Sequence, residues 1–131
     1  MISYRTGNDL DLDAVIDLYR ASTLGLRRPV DDRTRMQQML RNANLVITAW
    51  DADLLVGISR SLTDFSYATY LSDLAVRESH QRRGIGKELI RLTQQASAPA
   101  LIVLLAAPAA EQYYPHIGFA HHPQAWILRI P

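Results

Sequence analysis

The sequence predicts one α+β domain, a sheet flanked by helices, with its elements in the order β-α-α-β-β-β-α-β-α-β-β. Three observations predict it. Apolar residues recur at helical spacing up to Leu40, switch to strand-like runs between Leu45 and Val76, and return to helical spacing after Gly84. A continuous apolar run, Leu101 to Leu105, then reads as a strand covered on both faces. No repeat and no Pro-, Gly- or Ser-rich linker divides the chain, so residues 1–131 read as a single domain.

The elements follow in order. Ile2 to Thr6 is a short first strand. Asn8 or Asp9 offers a cap to the first helix, and Asp11 and Asp13 set negative charge at the positive end of its dipole. Leu12, Val15, Ile16 and Tyr19 share one face of that helix. Ser22 to Val30, holding Gly25 and Pro29, reads as a loop. Asp31 or Asp32 caps a second helix carrying Met36, Met39 and Leu40. Leu45 to Trp50 and Leu54 to Leu62 form a hairpin about Asp51-Ala52-Asp53, and Ala68 to Val76 is the next strand. Gly84 to Gln95 is a helix with Ile85, Leu89 and Leu92 on one face. After the Leu101 to Leu105 strand, Ala109 to Tyr114 is a short helix closed by Pro115. Two closing strands are expected around Phe119 and from Ala125 to Ile130.

Composition narrows the function classes. A formal net charge of +1 argues against a nucleic-acid binder, since such domains carry a marked basic excess. The absence of cysteine removes disulfides and thiolate chemistry, and suits a reducing compartment. The most apolar stretch, Ala98 to Ala110, is interrupted by Pro99 and Pro108 and is too short to span a bilayer. The expectation is a soluble cytoplasmic protein with no membrane and no nucleic-acid partner.

The chemistry concentrates after the Ala68 to Val76 strand. There the chain reads Gln81-Arg82-Arg83-Gly84-Ile85-Gly86-Lys87 and enters a helix at once. Glycine admits the close approach and positive φ that a tight anion-binding turn needs. The first N–H groups of a helix lack internal partners and lie at the positive end of its dipole. With Arg82 and Arg83 alongside, this junction predicts a phosphate or pyrophosphate ligand. A P-loop, Gly-x-x-x-x-Gly-Lys-Ser/Thr, is not present, and a dinucleotide fingerprint would need glycine at Leu89.

Gln81 to Gly86 fits the Gln/Arg-x-x-Gly-x-Gly/Ala element of the GNAT family of N-acetyltransferases, and the preceding Leu74-Ala75-Val76 stands at the spacing that family shows. The element order resembles the family along essentially the whole chain. The resemblance implies acetyl-CoA as co-substrate. It implies that Leu74, Ala75 and Val76 offer backbone groups to the pantetheine arm, and that Gln81, Arg82, Arg83, Gly84, Ile85, Gly86 and Lys87 cradle the pyrophosphate. Downstream, Tyr113-Tyr114-Pro115-His116-Ile117-Gly118-Phe119 resembles the family phrase F-Y-x-x-x-G-F. On that resemblance Tyr114 is the general acid that protonates the departing thiolate, while Tyr113 reads as packing. An asparagine often found near the start of this helix is absent from Ala106 to Ala109.

A base for the attacking amine is less evident. Strand alternation places Tyr70, Ser72 and Leu74 on one face and Leu71, Asp73 and Ala75 on the other. The family's pocket-facing bases correspond to Tyr70 or Ser72, neither basic at neutral pH, so proton loss through water is expected and Asp73 reads as structural. The family resemblance implies that Arg27, Arg28 and the Asp64 to Tyr67 connection frame the acceptor entrance, and the arginines read equally as attraction for an anionic acceptor or as plain surface charge. His116, His121 and His122 lack the spacing for a metal site, and none is expected. His80 reads as solvated. The leading reading is acetyl transfer to a primary amine of a small molecule or protein. The competing one is a non-catalytic acyl-CoA-binding sensor or interaction module. Trp126, Ile127 and Leu128 leave room for a homodimer through an apolar edge.

Overall fold

The computed structural model describes residues 1–130. Five strands, β1 (Ile2–Thr6), β2 (Leu45–Asp51), β3 (Leu54–Thr63), β4 (Ala68–Val76) and β5 (Leu101–Val103), form one sheet in that spatial order. The first four pair antiparallel, and β5 joins β4 in parallel, so the sheet is mixed. The helices are α1 (Leu12–Arg20), α2 (Arg33–Asn42), α3 (Ile85–Ser97) and α4 (Tyr113–His116).

Strand alternation builds two cores. Val15, Leu18 and Tyr19 of α1 and Met36 and Leu40 of α2 pack on one face, against Val46, Ile58 and Ala75. Ile85 and Leu89 of α3 pack on the other, against Leu45, Ile47, Ala49 and Val56. Helix α3 comes unusually close at Gly57. A Cβ built there would lie 3.1 Å from both Ile85 Cγ2 and Leu89 Cδ1, so glycine lets the helix seat on β3.

Several boundaries differ from the sequence reading. Helix α1 is capped by Asp11, whose carboxylate accepts from the Asp13 amide. Asn8 instead donates to the α2 end, at Arg41 O (3.0 Å) and Ala43 O (2.9 Å). Asp32, one of the two expected caps, serves α2 by accepting from the Arg35 amide. The stretch read as a loop from Ser22 contains a 3₁₀ turn, Thr23–Arg27, because the Ser22 hydroxyl accepts from the Leu24 amide and fixes its start.

Pro115 lies inside the first turn of α4 rather than closing a helix. First-turn amides have no intrahelical acceptor, so proline loses nothing there. Strand β5 stops at Val103 and is not covered on both faces: it is the edge of the sheet, with Leu101 and Val103 exposed. The two closing strands are not formed. Residues 119–130 run as irregular backbone without a sheet partner, and Trp126, Leu128 and Ile130 project into solvent with no apolar surface against them.

Candidate active site

The site begins where the β4–β5 ladder ends. Parallel pairing joins Ala68 to Leu101, Thr69 to Ile102 and Tyr70 to Val103, and goes no further. Beyond Tyr70 the two strands diverge, leaving the Leu71 to Val76 edge of β4 without a β5 partner. The gap is a cleft of about 660 Å³, within the range of small-molecule sites.

One wall is the β4–α3 junction. Leu74, Ala75 and Val76 line it from the strand, and Gln81, Arg82, Gly84, Ile85, Gly86 and Lys87 from the loop and first helical turn. Gly84 holds φ +80° as the N-terminal cap of α3, and Arg82 is also left-handed at φ +66°. A Cβ added at Gly84 meets no protein atom within 4 Å, so it would project into open space beside the unpaired amides of the first turn. The Gln81 side chain folds back and donates to Val76 O at 3.0 Å, pinning the loop to the end of β4. Arg77 braces it from behind, donating to Leu55 O (3.0 Å) and to Asp17 (2.9 Å).

His80 is buried here, not solvated. Its ring is held between Ser79 Oγ (2.7 Å) and Asp51 Oδ2 (2.8 Å), which ties the loop to the end of β2. The hydrogen bond with His80 lowers the Asp51 carboxyl from its ordinary value, against the opposing effect of desolvation. Arg83, expected in the cradle, is exposed and does not line the cleft.

The opposite wall carries Leu104, Leu105 and helix α4. Tyr114 is half-buried and stacks edge-on with both Phe119 and Tyr113, each at 5.4 Å between ring centres. Burial raises its pKa and neighbouring Tyr113 adds to the rise, while Arg27 opposes it. The net shift is upward, so the phenol keeps its proton at neutral pH. Tyr113 packs edge-on against Tyr114 and also lines the cleft, where a Cβ on Gly86 would sit 3.7 Å from its hydroxyl.

The third side is the turn after α1. Arg27 and Arg28 both line the cleft, but their guanidinium groups do different things. Arg28 is committed to the protein, donating to Asp73 Oδ1 (2.6 Å) and Ser72 O (2.7 Å), so it braces the turn and is not free for an acceptor. Arg27 is exposed, and its charge reaches Tyr114. Ser72 borders the cleft, whereas Tyr70, exposed and the last residue of β4 to pair with β5, lies outside its lining.

Asp73 sits beneath, fully buried. It accepts from Tyr19 Oη, Arg60 Nε and Arg28 Nε, each at 2.6 Å. Burial alone pushes its carboxyl up, but the hydrogen bond and charge of Arg60, then Tyr19 and Arg28, outweigh it, and the net shift is downward. The Ser72 hydroxyl, which borders the cleft, is a fourth donor at 3.2 Å, so Asp73 is an enclosed anion that reaches the cleft only through Ser72. The sequence offered no signal for this cluster, because Tyr19, Arg28, Arg60 and Asp73 come from four separate segments. Among the described residues, no group of three or more His or acidic side chains is placed to hold a metal ion, and no helix is long and apolar enough to cross a membrane.

Residues 23–126 match the family model described as "Acetyltransferase (GNAT) domain". The chain belongs to the GNAT acetyltransferase family. Known structures agree with its fold. A GNAT-family acetyltransferase from Streptococcus pneumoniae TIGR4 superposes with a TM-score of 0.79 at 25% identity, over 99% of this chain and 100% of that one. An aminoglycoside acetyltransferase from an uncultured soil metagenomic sample, in complex with sisomicin, has a TM-score of 0.73 at 22% identity, over 99% and 95%. The structure of AAC(6')-Iy with a CoA-based bisubstrate analogue has a TM-score of 0.76 at 16% identity, over 100% and 99%. No curated protein matches the chain.

Proposed function

We propose that this GNAT domain binds acetyl-CoA in the β4–β5 cleft and transfers its acetyl group to an amine by direct attack. One observation carries the reading: the unpaired Leu71 to Val76 edge of β4 leads, through the pinned loop from Arg77 to Arg83, to the left-handed Gly84 that opens α3. An extended amide-containing arm can pair with such an edge as a strand would, and a pyrophosphate can lie on the helix start.

Bound acetyl-CoA would supply a thioester carbonyl; the amine nitrogen forms the new C–N bond there as the C–S bond breaks. Tyr114, held neutral, donates its hydroxyl hydrogen to the sulfur on which charge develops. The amine proton leaves through water, since Ser72 is no base at neutral pH and Asp73, behind it, is a weak one with its carboxyl held low. Arg82 and Lys87 supply positive charge beside the helix start, and Gln81 holds the loop that presents it.

The acceptor side favours a neutral or anionic amine. Arg27 faces it, and none of the described residues lining the cleft is an Asp or Glu, which gives a polycation no counter-charge. Calorimetric titration of acetyl-CoA into the wild type and into Gly84→Glu tests the coenzyme site. Saturable binding lost in a folded variant supports it; absence of binding to folded wild type refutes it. CoA release across an amine panel then separates an enzyme from a binding module, which would hold the coenzyme and release no thiol with any amine.

A further inference from the structure

Activated acetyl groups are a hazard to any protein that carries amines, and this chain carries almost none. Of its 14 lysines and arginines, Lys87 is the only lysine. The other cations are guanidinium groups, which stay protonated in proteins and do not attack carbonyls. One reactive ε-amine remains, and it stands in the cleft.

Its surroundings set it apart. Lys87 lies in the first turn of α3, exposed, and lines the cleft with Gly84 and Arg82. Among the described residues no carboxylate pairs with its ammonium group. Neighbouring Glu88 is taken by Arg91, which donates to its two oxygens at 2.6 and 2.8 Å. The unpaired amides of the first turn and the charge of Arg82 attract an anion to this same corner. A nucleophile and an anion site therefore share one wall.

We infer that Lys87 is a modification site, acetylated by an acyl phosphate that docks on the start of α3. In such a donor a single bridging oxygen separates phosphorus from the reactive carbonyl, so seating the phosphate delivers that carbonyl to the amine. In acetyl-CoA the carbonyl lies beyond the long pantetheine arm, so coenzyme seated by its pyrophosphate shields the lysine rather than acetylating it. The neutral Lys87 nitrogen forms a C–N bond to the acetyl carbon as the bond from that carbon to the bridging oxygen breaks. The amine hydrogen leaves with the phosphate, as hydrogen phosphate. The product amide is uncharged, so the wall loses one of the charges available to a pyrophosphate. One premise comes from the proposed function, that the start of α3 holds phosphate.

Wild type is incubated with acetyl phosphate beside Nα-acetyl-lysine as a reference amine, and peptide mass spectrometry reads each site. Lys87 should be labelled roughly tenfold or more faster than the reference. Inorganic phosphate or CoA should slow it to the reference rate, and Arg82→Gln, folded by circular dichroism, should slow it severalfold. Normalised to the same reference, acetyl-CoA should label Lys87 less than acetyl phosphate does. Lys87→Gln, which copies the neutral product, should weaken CoA binding roughly two- to fivefold, and Lys87→Arg should not. Labelling no faster than the reference, or unmoved by inorganic phosphate, overturns the inference. So does stronger normalised labelling by acetyl-CoA, which makes the coenzyme the donor. Calorimetry of CoA on the same preparation separates the two readings. Wild type that binds CoA yet leaves Lys87 unlabelled defeats the modification site alone. Wild type that labels at Lys87 but binds no CoA defeats the coenzyme site and leaves the modification site standing.

Discussion

Replacing Asp73 with Asn tests how the protein holds its central strand. The side chain keeps its size, but the buried negative charge between Arg60 and Arg28 is removed. One amide oxygen can still accept from one donor, whereas the amide nitrogen would face a guanidinium, donor against donor. Arg60 is only 8% exposed, so its charge has little recourse to water; Arg28, at 20%, can rehydrate in part. Removing one partner of a buried pair typically costs about 3–5 kcal/mol, a large share of the roughly 5–15 kcal/mol that holds a domain together. For a chain of this size that lowers Tm by about 10–20 °C. Urea unfolding at neutral pH measures the loss. Adding Arg60→Met to Asp73→Asn should recover part of it, because the orphaned charge goes too. The pH dependence has a fixed sign. Since the folded carboxyl titrates below its unfolded value of about 3.9, the unfolded chain takes up the proton first as pH falls. The cluster's contribution is complete above about pH 4 and is lost as pH drops through the folded value. Asp73→Asn should therefore flatten the acid limb of the stability curve. A stability loss under about 1 kcal/mol, with that limb unchanged, would refute the view that Asp73 is an essential counter-ion.

Gly57→Ala should destabilise by about 1–3 kcal/mol, read by denaturant unfolding, because its methyl meets Ile85 and Leu89 at 3.1 Å and α3 must shift. Tyr114→Phe should leave the acetyl-CoA dissociation constant nearly unchanged while lowering kcat by about 10²-fold or more, measured as thiol release. Arg27→Gln should raise KM for amines bearing a carboxylate and leave neutral amines almost unaffected, a split that steady-state kinetics on matched pairs resolves.

How legible the molecule was depends on whether an element is defined locally. The helix over Ile85–Ser97 and its glycine opening could be read directly, because apolar period, glycine φ and the dipole all act within one turn. The alternation of β4 was equally local, and it placed Asp73 inward, where the structure has it. The ends were misread because they depend on partners. Leu101 to Leu105 looks like an interior strand by composition, yet its cover depends on what lies across its outer edge. His80 looked solvated beside Arg82 and Arg83, but its burial is decided by Asp51, a hairpin away. Arg28 looked free for an acceptor until Asp73, far along the chain, claimed it.

The walls of the cleft differ in the same way. The β4–α3 wall is assembled from contiguous residues, pinned by Gln81, Arg77 and His80 and backed by the Leu89 core. The facing wall is a four-residue helix with no buried residue, a 3₁₀ turn latched through Arg28, and the edge of β5. Phosphate binding needs fixed amides and fixed charge, which the rigid wall offers. The loosely packed wall can change side chains without disturbing the core, which is how one fold serves many acceptors. The acceptor half of the cleft is therefore where specificity would be set, and Arg27, Tyr113 and Tyr114 are the side chains on which it would register.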